Sequence, residues 1–335
     1  MMTSINSSTF GSPGLESIAK ERNTSFYNLL GLKYSSTISA ASTSFNIQSF
    51  CQQLKANIMA AKEDQDYLLG QHGREVERLQ KQHRWIQSCL KGKIVFAPVE
   101  LGKSGLRVLD VGCADGTLLR DLQKQVSPSA QLVGSDVMAP FLPTSPQGNI
   151  RYVQADICEP PEGDLAGSFD LTHVRYVLAG CARVGLDTAV ANLAATLAPG
   201  GWLQIQEMNV DPNRPDAGPA WQDVNSILSG MFAKIGMGSQ FTLLIADSMK
   251  KAGLANVSVE TIDLPMGKLI EGEQERKDSI EPFKITIPVI SQAAKGLGID
   301  IPESSYDRLP ERFEDEAMKQ GVVFRCLVIV GQKPV

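Results

Sequence analysis

The chain has 335 residues, 43% of them hydrophobic, and its 32 Lys and Arg against 37 Asp and Glu leave a formal net charge of −5. The only basic grouping, Lys81, His83, Arg84 and Lys91, is interrupted by apolar residues and reads as a solvated helix face, so no nucleic-acid partner is expected. No run approaches the roughly 18 apolar residues that span a bilayer, and Met1 to Ser8 lacks the basic-then-apolar order of a secretory signal; a cytoplasmic protein with no membrane partner is the expectation.

Residues 1–45 are rich in Ser, Thr, Asn and Gly and read as a flexible tail, with Phe26, Tyr27, Leu29 and Leu30 as a local apolar exception. Residues 46–100 read as a helical N-terminal lid. One helix is expected from Asn46 to Lys62 and a second from about Arg74 to Leu90, where Val76, Leu79, His83, Ile86 and Leu90 fall on one face. From residue 101 to 335 strands and helices alternate. Strands are expected at Leu106–Val111, Gln131–Ser135, Ile150–Gln154, Phe169–Val174 and Trp202–Gln206, with helices at Asp115–Val126 and Thr188–Leu197 and a turn at Pro199-Gly200-Gly201. Such β/α alternation implies a parallel sheet covered on both faces. Further on, Phe241–Ala252 and Ser304–Lys319 read as helices, and Val257–Leu264 and Val322–Val330 as strands. The stretches around 211–245 and 265–321 read as acceptor-binding inserts; the second is too long for a hairpin loop.

The sharpest signal is Asp110-Val111-Gly112-Cys113-Ala114-Asp115-Gly116, a strand end, a glycine turn and a helix start. Gly112 permits close backbone approach to a ligand and Gly116 permits close packing, while the third glycine position holds Ala114. Carboxylates at Asp110 and Asp115 would repel a pyrophosphate and suit a ligand carrying an ammonium and a sulfonium. Asp136, at the end of the next strand, is placed to accept ribose hydroxyls, and Asp156 at the third strand end to meet an adenine amino group. Each Asp alone is as well explained as a helix cap or a solvated loop residue. Three successive strand ends are not, because ligands bind at that edge of an open α/β sheet.

At this point the sequence resembles the class I S-adenosylmethionine-dependent methyltransferases, and within them the fungal group of LaeA-like regulators and secondary-metabolism tailoring enzymes. The resemblance runs from about Tyr67 to Asn209. It rests on Tyr67, Glu75, Glu77-Arg78-Leu79 and Gln82-His83, on Val108 to Gly112, on Val133 to Asp136 with Pro140 and Pro143, on Phe169-Asp170-Leu171-Thr172-His173-Val174-Arg175, and on Pro199-Gly200-Gly201-Trp202 through Glu207. Two positions depart from the group's pattern: the turn reads Gly112-Cys113-Ala114-Asp115-Gly116, and Gln71-His72 stand where acidic residues are usual. The resemblance implies a Rossmann-like α/β fold with a seven-stranded sheet ordered 3-2-1-4-5-7-6 and strand 7 antiparallel. It implies S-adenosylmethionine as cofactor, S-adenosylhomocysteine as product, and Tyr67, His83, Asp110, Gly112, Cys113, Gly116, Asp136, Val137, Asp156, Ile157, His173 and Arg175 as cofactor-binding residues.

Methyl transfer demands alignment first, and an O–H or N–H acceptor also demands a proton acceptor. His173 is the candidate base, with a purely structural histidine as the alternative; Arg175 has structural ion pairing as its alternative. Glu207 either faces the acceptor or neutralises a neighbour. Trp221, Met231, Phe232, Met237 and Phe241 either line an apolar acceptor site or form plain core. Six dispersed cysteines and three dispersed histidines suggest neither a disulfide framework nor a metal site. The expected activity is methylation of a small, apolar acceptor, with a hydroxyl as the default atom and a homodimer as the assembly to test. A LaeA-like regulatory protein and a cyclase that keeps the fold without transferring the methyl stay open as alternatives.

Overall fold

The computed structural model describes residues 65–145 and 148–335, with side chains from residue 73 onward. The tail and the helix expected at 46–62 lie outside the described residues, as does the side chain of Tyr67. Among the described residues seven strands form one sheet in the order β3-β2-β1-β4-β5-β7-β6: β1 (Arg107–Val111), β2 (Gln131–Asp136), β3 (Ile150–Gln154), β4 (Phe169–Arg175), β5 (Leu197–Met208), β6 (Ala255–Met266) and β7 (Val322–Gln332). The first five run parallel, and β7 pairs antiparallel with both β5 and β6. The expected strand order is therefore the observed one.

Seven α-helices accompany the sheet among the described residues: α1 (Gln65–Cys89), α2 (Thr117–Leu122), α3 (Leu186–Ala195), α4 (Pro219–Lys234), α5 (Ile245–Lys251), α6 (Glu273–Leu297) and α7 (Leu309–Lys319). Side chains alternate across a strand, and the core divides accordingly. Val108, Leu132, Leu171, Val328 and Val330 face a core shared with α1, α2, α4, α6 and α7. Leu109, Val133, Val174, Leu203, Ile205 and Ile329 face a second core shared with α3 and α5. Among the described residues no helix is long and apolar enough to cross a membrane, and no group of three or more potential metal ligands occurs.

Two readings change. Pro199-Gly200-Gly201 is not a turn ahead of β5 but part of it: Phe169 pairs with Leu197 and Leu171 with Trp202, so the extra residues are absorbed as a register shift. The region before β7 carries a 25-residue helix, α6, that contains Pro282 and Pro288. Each proline removes a backbone donor and would ordinarily cost about 3 kcal/mol in a helix interior. The helix persists because Ile280, Phe283, Ile287 and Ala294 recur at spacings of three, four and seven, on one helix face, and are buried, each large one contributing about 1.5–3 kcal/mol. Phe283 anchors an aromatic cluster, with ring centroids 5.5 Å from Trp85, 5.6 Å from Trp221 and 5.7 Å from Phe324. Trp85 Nε1–H donates to Pro265 O at 2.9 Å, which ties α1 to the end of β6. This cluster fixes α1, α4 and α6 over the carboxyl ends of the strands.

Candidate active site

The strand ends and the helices above them enclose a cavity of about 530 Å³, within the range of small-molecule sites. Its floor on the β1–β3 side is the glycine turn. Gly112 and Gly116 sit at φ 73° and 74°, a left-handed conformation natural only to glycine. A Cβ on Gly112 would come within 2.3 Å of Val177, and one on Gly116 within 2.0 Å of the Tyr152 hydroxyl. The N–H groups of Gly112 and Cys113 both donate to Ser135 O, at 2.7 and 3.0 Å, folding the turn back against β2.

The carboxylates at this end are held individually. Asp136 is buried, with Oδ1 accepting from Met138 N–H at 2.8 Å and Oδ2 from Ala114 N–H at 3.0 Å. Burial raises its carboxyl above the ordinary range, and the two backbone donors oppose that rise without cancelling it. Each oxygen keeps further acceptor capacity toward the cavity. Asp156 accepts from Cys158 N–H at 3.0 Å and from Arg183 Nη2 at 3.0 Å; burial would raise it, but these donors outweigh burial and hold it low. Asp115 accepts from Gln80, Thr117 and Arg120, at 2.7 to 3.1 Å, so it joins the start of α2 to α1.

Asp110 and His173 are register partners on neighbouring strands and lie on one sheet face. His173 Nδ1–H donates to Asp110 Oδ1 at 2.8 Å. Asp110 lines the cavity and His173 does not; the histidine is 1% exposed.

A second network joins α1 to β4. Arg175 Nη2 donates to His83 Nδ1 at 3.0 Å, and His83 Nε2–H donates to Asp121 Oδ2 at 2.9 Å. Burial, then the neighbouring Arg175 guanidinium, push the His83 imidazole down to about 4. It is therefore neutral near pH 7, as a ring that accepts on one nitrogen and donates on the other must be.

Toward β5 and β7 the lining turns apolar: Val224, Leu228 and Phe232 from α4, Phe283, Ile287 and Ile290 from α6, and Phe324 from β7. Between the two ends stands Glu207, 4% exposed, whose Oε1 accepts from Val177 N–H and Leu178 N–H, both at 2.9 Å. Those donors follow Tyr176, a non-glycine residue at φ 57°.

A methyltransferase domain model matches residues 80–259, more than half of the chain. The chain belongs to the methyltransferase family. Its relatives include methyltransferase psoC of Aspergillus fumigatus, 33% identical over 262 residues that cover 78% of this chain and 95% of that protein. N-methyltransferase tcpN of Claviceps purpurea is 31% identical over 78% of this chain and 95% of its own length. N-methyltransferase verN of Clonostachys rogersoniana is 27% identical over 80% and 93% respectively. The chain is thus a class I methyltransferase of the fungal tailoring group, and the cofactor of that family is S-adenosylmethionine.

As a methyltransferase site the cavity fits that cofactor: it offers buried carboxylates held by backbone donors and a turn whose glycines let backbone approach. Of the residues expected to bind it, His83, Asp110, Gly112, Cys113, Asp136, Val137, Asp156, Ile157 and Arg175 line the cavity. Gly116 and His173 do not; Gly116 is needed for packing under Tyr152, and His173 is buried and hydrogen-bonded to Asp110. The expected base, His173, is buried and hydrogen-bonded to Asp110 rather than part of the cavity lining. Among the five apolar acceptor candidates only Phe232 reaches the cavity, while Trp221, Met231, Met237 and Phe241 pack in or against the core. Phe283, Ile287 and Ile290 were missed, although their helical spacing was present in the sequence.

Proposed function

We propose that this methyltransferase transfers the methyl group of S-adenosylmethionine to a nitrogen of a small apolar acceptor in a secondary-metabolite pathway. The observation that carries this reading is one continuous cavity, carboxylate-lined over β1, β2 and β3 and apolar under α4 and α6. When bound, S-adenosylmethionine supplies a methyl on a positively charged sulfur and leaves as the neutral thioether S-adenosylhomocysteine. Asp136 would take the ribose hydroxyls, Val137, Asp156 and Ile157 the adenosine edge, and the Gly112–Cys113 backbone the amino-acid portion. Asp110, oriented by His173, would take the ammonium. Arg175, braced by His83, would take the carboxylate.

The acceptor end excludes water with apolar side chains and fixes the acceptor's approach, and such orientation can supply much of the acceleration of an in-line displacement. Nitrogen is placed ahead of the hydroxyl initially expected because two of the relatives above carry the name N-methyltransferase. The test is incubation with trideuteromethyl-labelled cofactor and matched amines and alcohols. Transfer to amines is the expected result. Cofactor that binds and keeps its label with every acceptor would sink the reading, and an isomerised acceptor in that case would instead favour a cyclase.

A further inference from the structure

Glu207 lies at the carboxyl end of β5, between β4 and β7 in the sheet. That places it on the acceptor side of the strand order, away from the Asp136 and Asp156 end. It lines the cavity, yet it is almost wholly buried from outside solvent. Oε1 is taken up by two backbone N–H groups, which fix the carboxyl plane. No side-chain donor reaches the carboxyl among the described residues. The side chains that α4 and α6 send into the cavity carry no charge.

We propose that Glu207 is the proton acceptor for transfer, and that the acceptor it selects is an apolar amine entering as its ammonium form. This rests on the methyl-transfer reading above. The carboxylate pairs with the ammonium and takes one N–H proton on Oε2. The freed nitrogen lone pair forms the new N–C bond as the S–C bonding pair returns to sulfur, and the proton then leaves Glu207 for solvent. An acceptor carrying a carboxylate would meet an uncompensated like charge. An aliphatic hydroxyl is far too weak an acid to match this base.

Burial holds the Glu207 carboxyl up at about 7, with the backbone donors pulling the other way. It can therefore both take up and release a proton near neutral pH. The titratable groups beside it are Cys181 in the turn after β4 and Cys326 on β7, both raised by their surroundings and neutral at that pH; Asp110, Arg175 and Tyr176 line the same cavity.

The test uses the full chain, E207Q and E207D, with S-adenosylmethionine and matched probes: tetrahydroisoquinoline, benzylamine, benzyl alcohol and phenylacetic acid. Glutamine can still accept the Val177 and Leu178 N–H groups, so the fold is retained. The wild type should methylate the amines, at a rate that rises as pH passes about 7. E207Q should lose at least about 100-fold in kcat with unchanged cofactor affinity by calorimetry, and E207D should recover part of the loss. Independently of turnover, carbon-13 carboxyl NMR should show one glutamate titrating near neutral pH that vanishes in E207Q.

A wild-type rate in E207Q, or a Glu207 resonance titrating in the ordinary carboxylate range, overturns the assignment. Transfer to benzyl alcohol in preference to the amines overturns the acceptor class alone. Bound cofactor with no transfer to any probe removes the functional reading and this proposal with it.

Discussion

The two ends of the cavity are built by different means. The β1–β3 end is made of strand termini and a glycine turn; its carboxylates are gripped by two backbone N–H groups at Asp136 and by one backbone N–H and Arg183 at Asp156. The far end is made of side chains on α4 and α6, helices outside the alternating β/α plan and held by an aromatic cluster. Topology fixes the first end, because any chain that folds into this sheet order brings those strand ends together. Packing fixes the second, so its shape can change without disturbing the sheet. One consequence is that changes at α6 should alter stability and acceptor choice while changes at Asp136 should alter cofactor affinity, and the separation can be broken by experiment.

The largest expected effect is at the packed end. Phe283→Ala removes a ring that touches Trp85, Trp221, Phe313 and Phe324 and should cost about 3–5 kcal/mol of stability, read by urea unfolding. Cofactor affinity measured on the folded fraction should stay within a few-fold of wild type. A large loss of affinity would show that the two ends are not independent.

The pH dependence of stability tests the middle of the cavity. The folded His83 imidazole resists protonation until about 4, whereas an unfolded one takes a proton near 6.5. Its contribution is present above pH 6.5 and is lost as pH falls toward 4. Glu207 has the opposite sign: the folded carboxyl keeps its proton up to about 7, so its contribution is present below about 4.5 and is lost as pH rises through 7. Each amounts to roughly 3 kcal/mol, and between about pH 4.5 and 6.5 the two slopes oppose. E207Q should uncover the His83 slope, with stability climbing as pH rises through that window. His83→Gln should uncover the reverse. Parallel curves for wild type and both variants in chemical denaturation would refute this balance.

A smaller effect is expected at the turn end. Asp136→Ala deletes the acceptor for Ala114 N–H and Met138 N–H and the proposed ribose contact. Hydrogen bonds to charged groups are worth about 1.5–3 kcal/mol, so S-adenosylmethionine should bind roughly 10- to 100-fold more weakly by calorimetry, while an acceptor-end change such as Ile290→Ala should leave that affinity nearly unchanged.

This difference also governs what the sequence revealed. Strand ends announce themselves by short apolar runs closing on Asp or Gly, so the sequence alone places Asp110, Asp136 and Asp156 at one edge. Ile150–Gln154 was read with its observed bounds. The packed end was less legible. Pro282 and Pro288 argue locally against a helix, yet burial of Ile280, Phe283 and Ile287 overrides them. His173 carried the right chemistry for a base, but only the fold shows that it pairs with Asp110 across neighbouring strands and is absent from the cavity lining. Asp115, which lines the cavity, also accepts from Gln80, Thr117 and Arg120, partners that include one from a helix 35 residues upstream and so not legible from local sequence.

Ala114 gives the finest test of the turn end. The glycine motif lacks its third glycine here, and the residue that replaces it sits at φ 47°, a region that costs a residue with a Cβ about 1–2 kcal/mol. The conformation is kept because Ala114 N–H must point at Asp136 Oδ2 and because Gly112 and Gly116 close the turn on either side. Ala114→Gly removes that strain but gives the unfolded chain more freedom to lose, which offsets about 0.5–1 kcal/mol. The net expectation is a gain of up to about 1 kcal/mol in unfolding free energy with cofactor affinity unchanged or slightly improved. Destabilisation by Ala114→Gly would mean that the alanine methyl makes packing contacts worth more than the strain, and that the turn has been rebuilt around it.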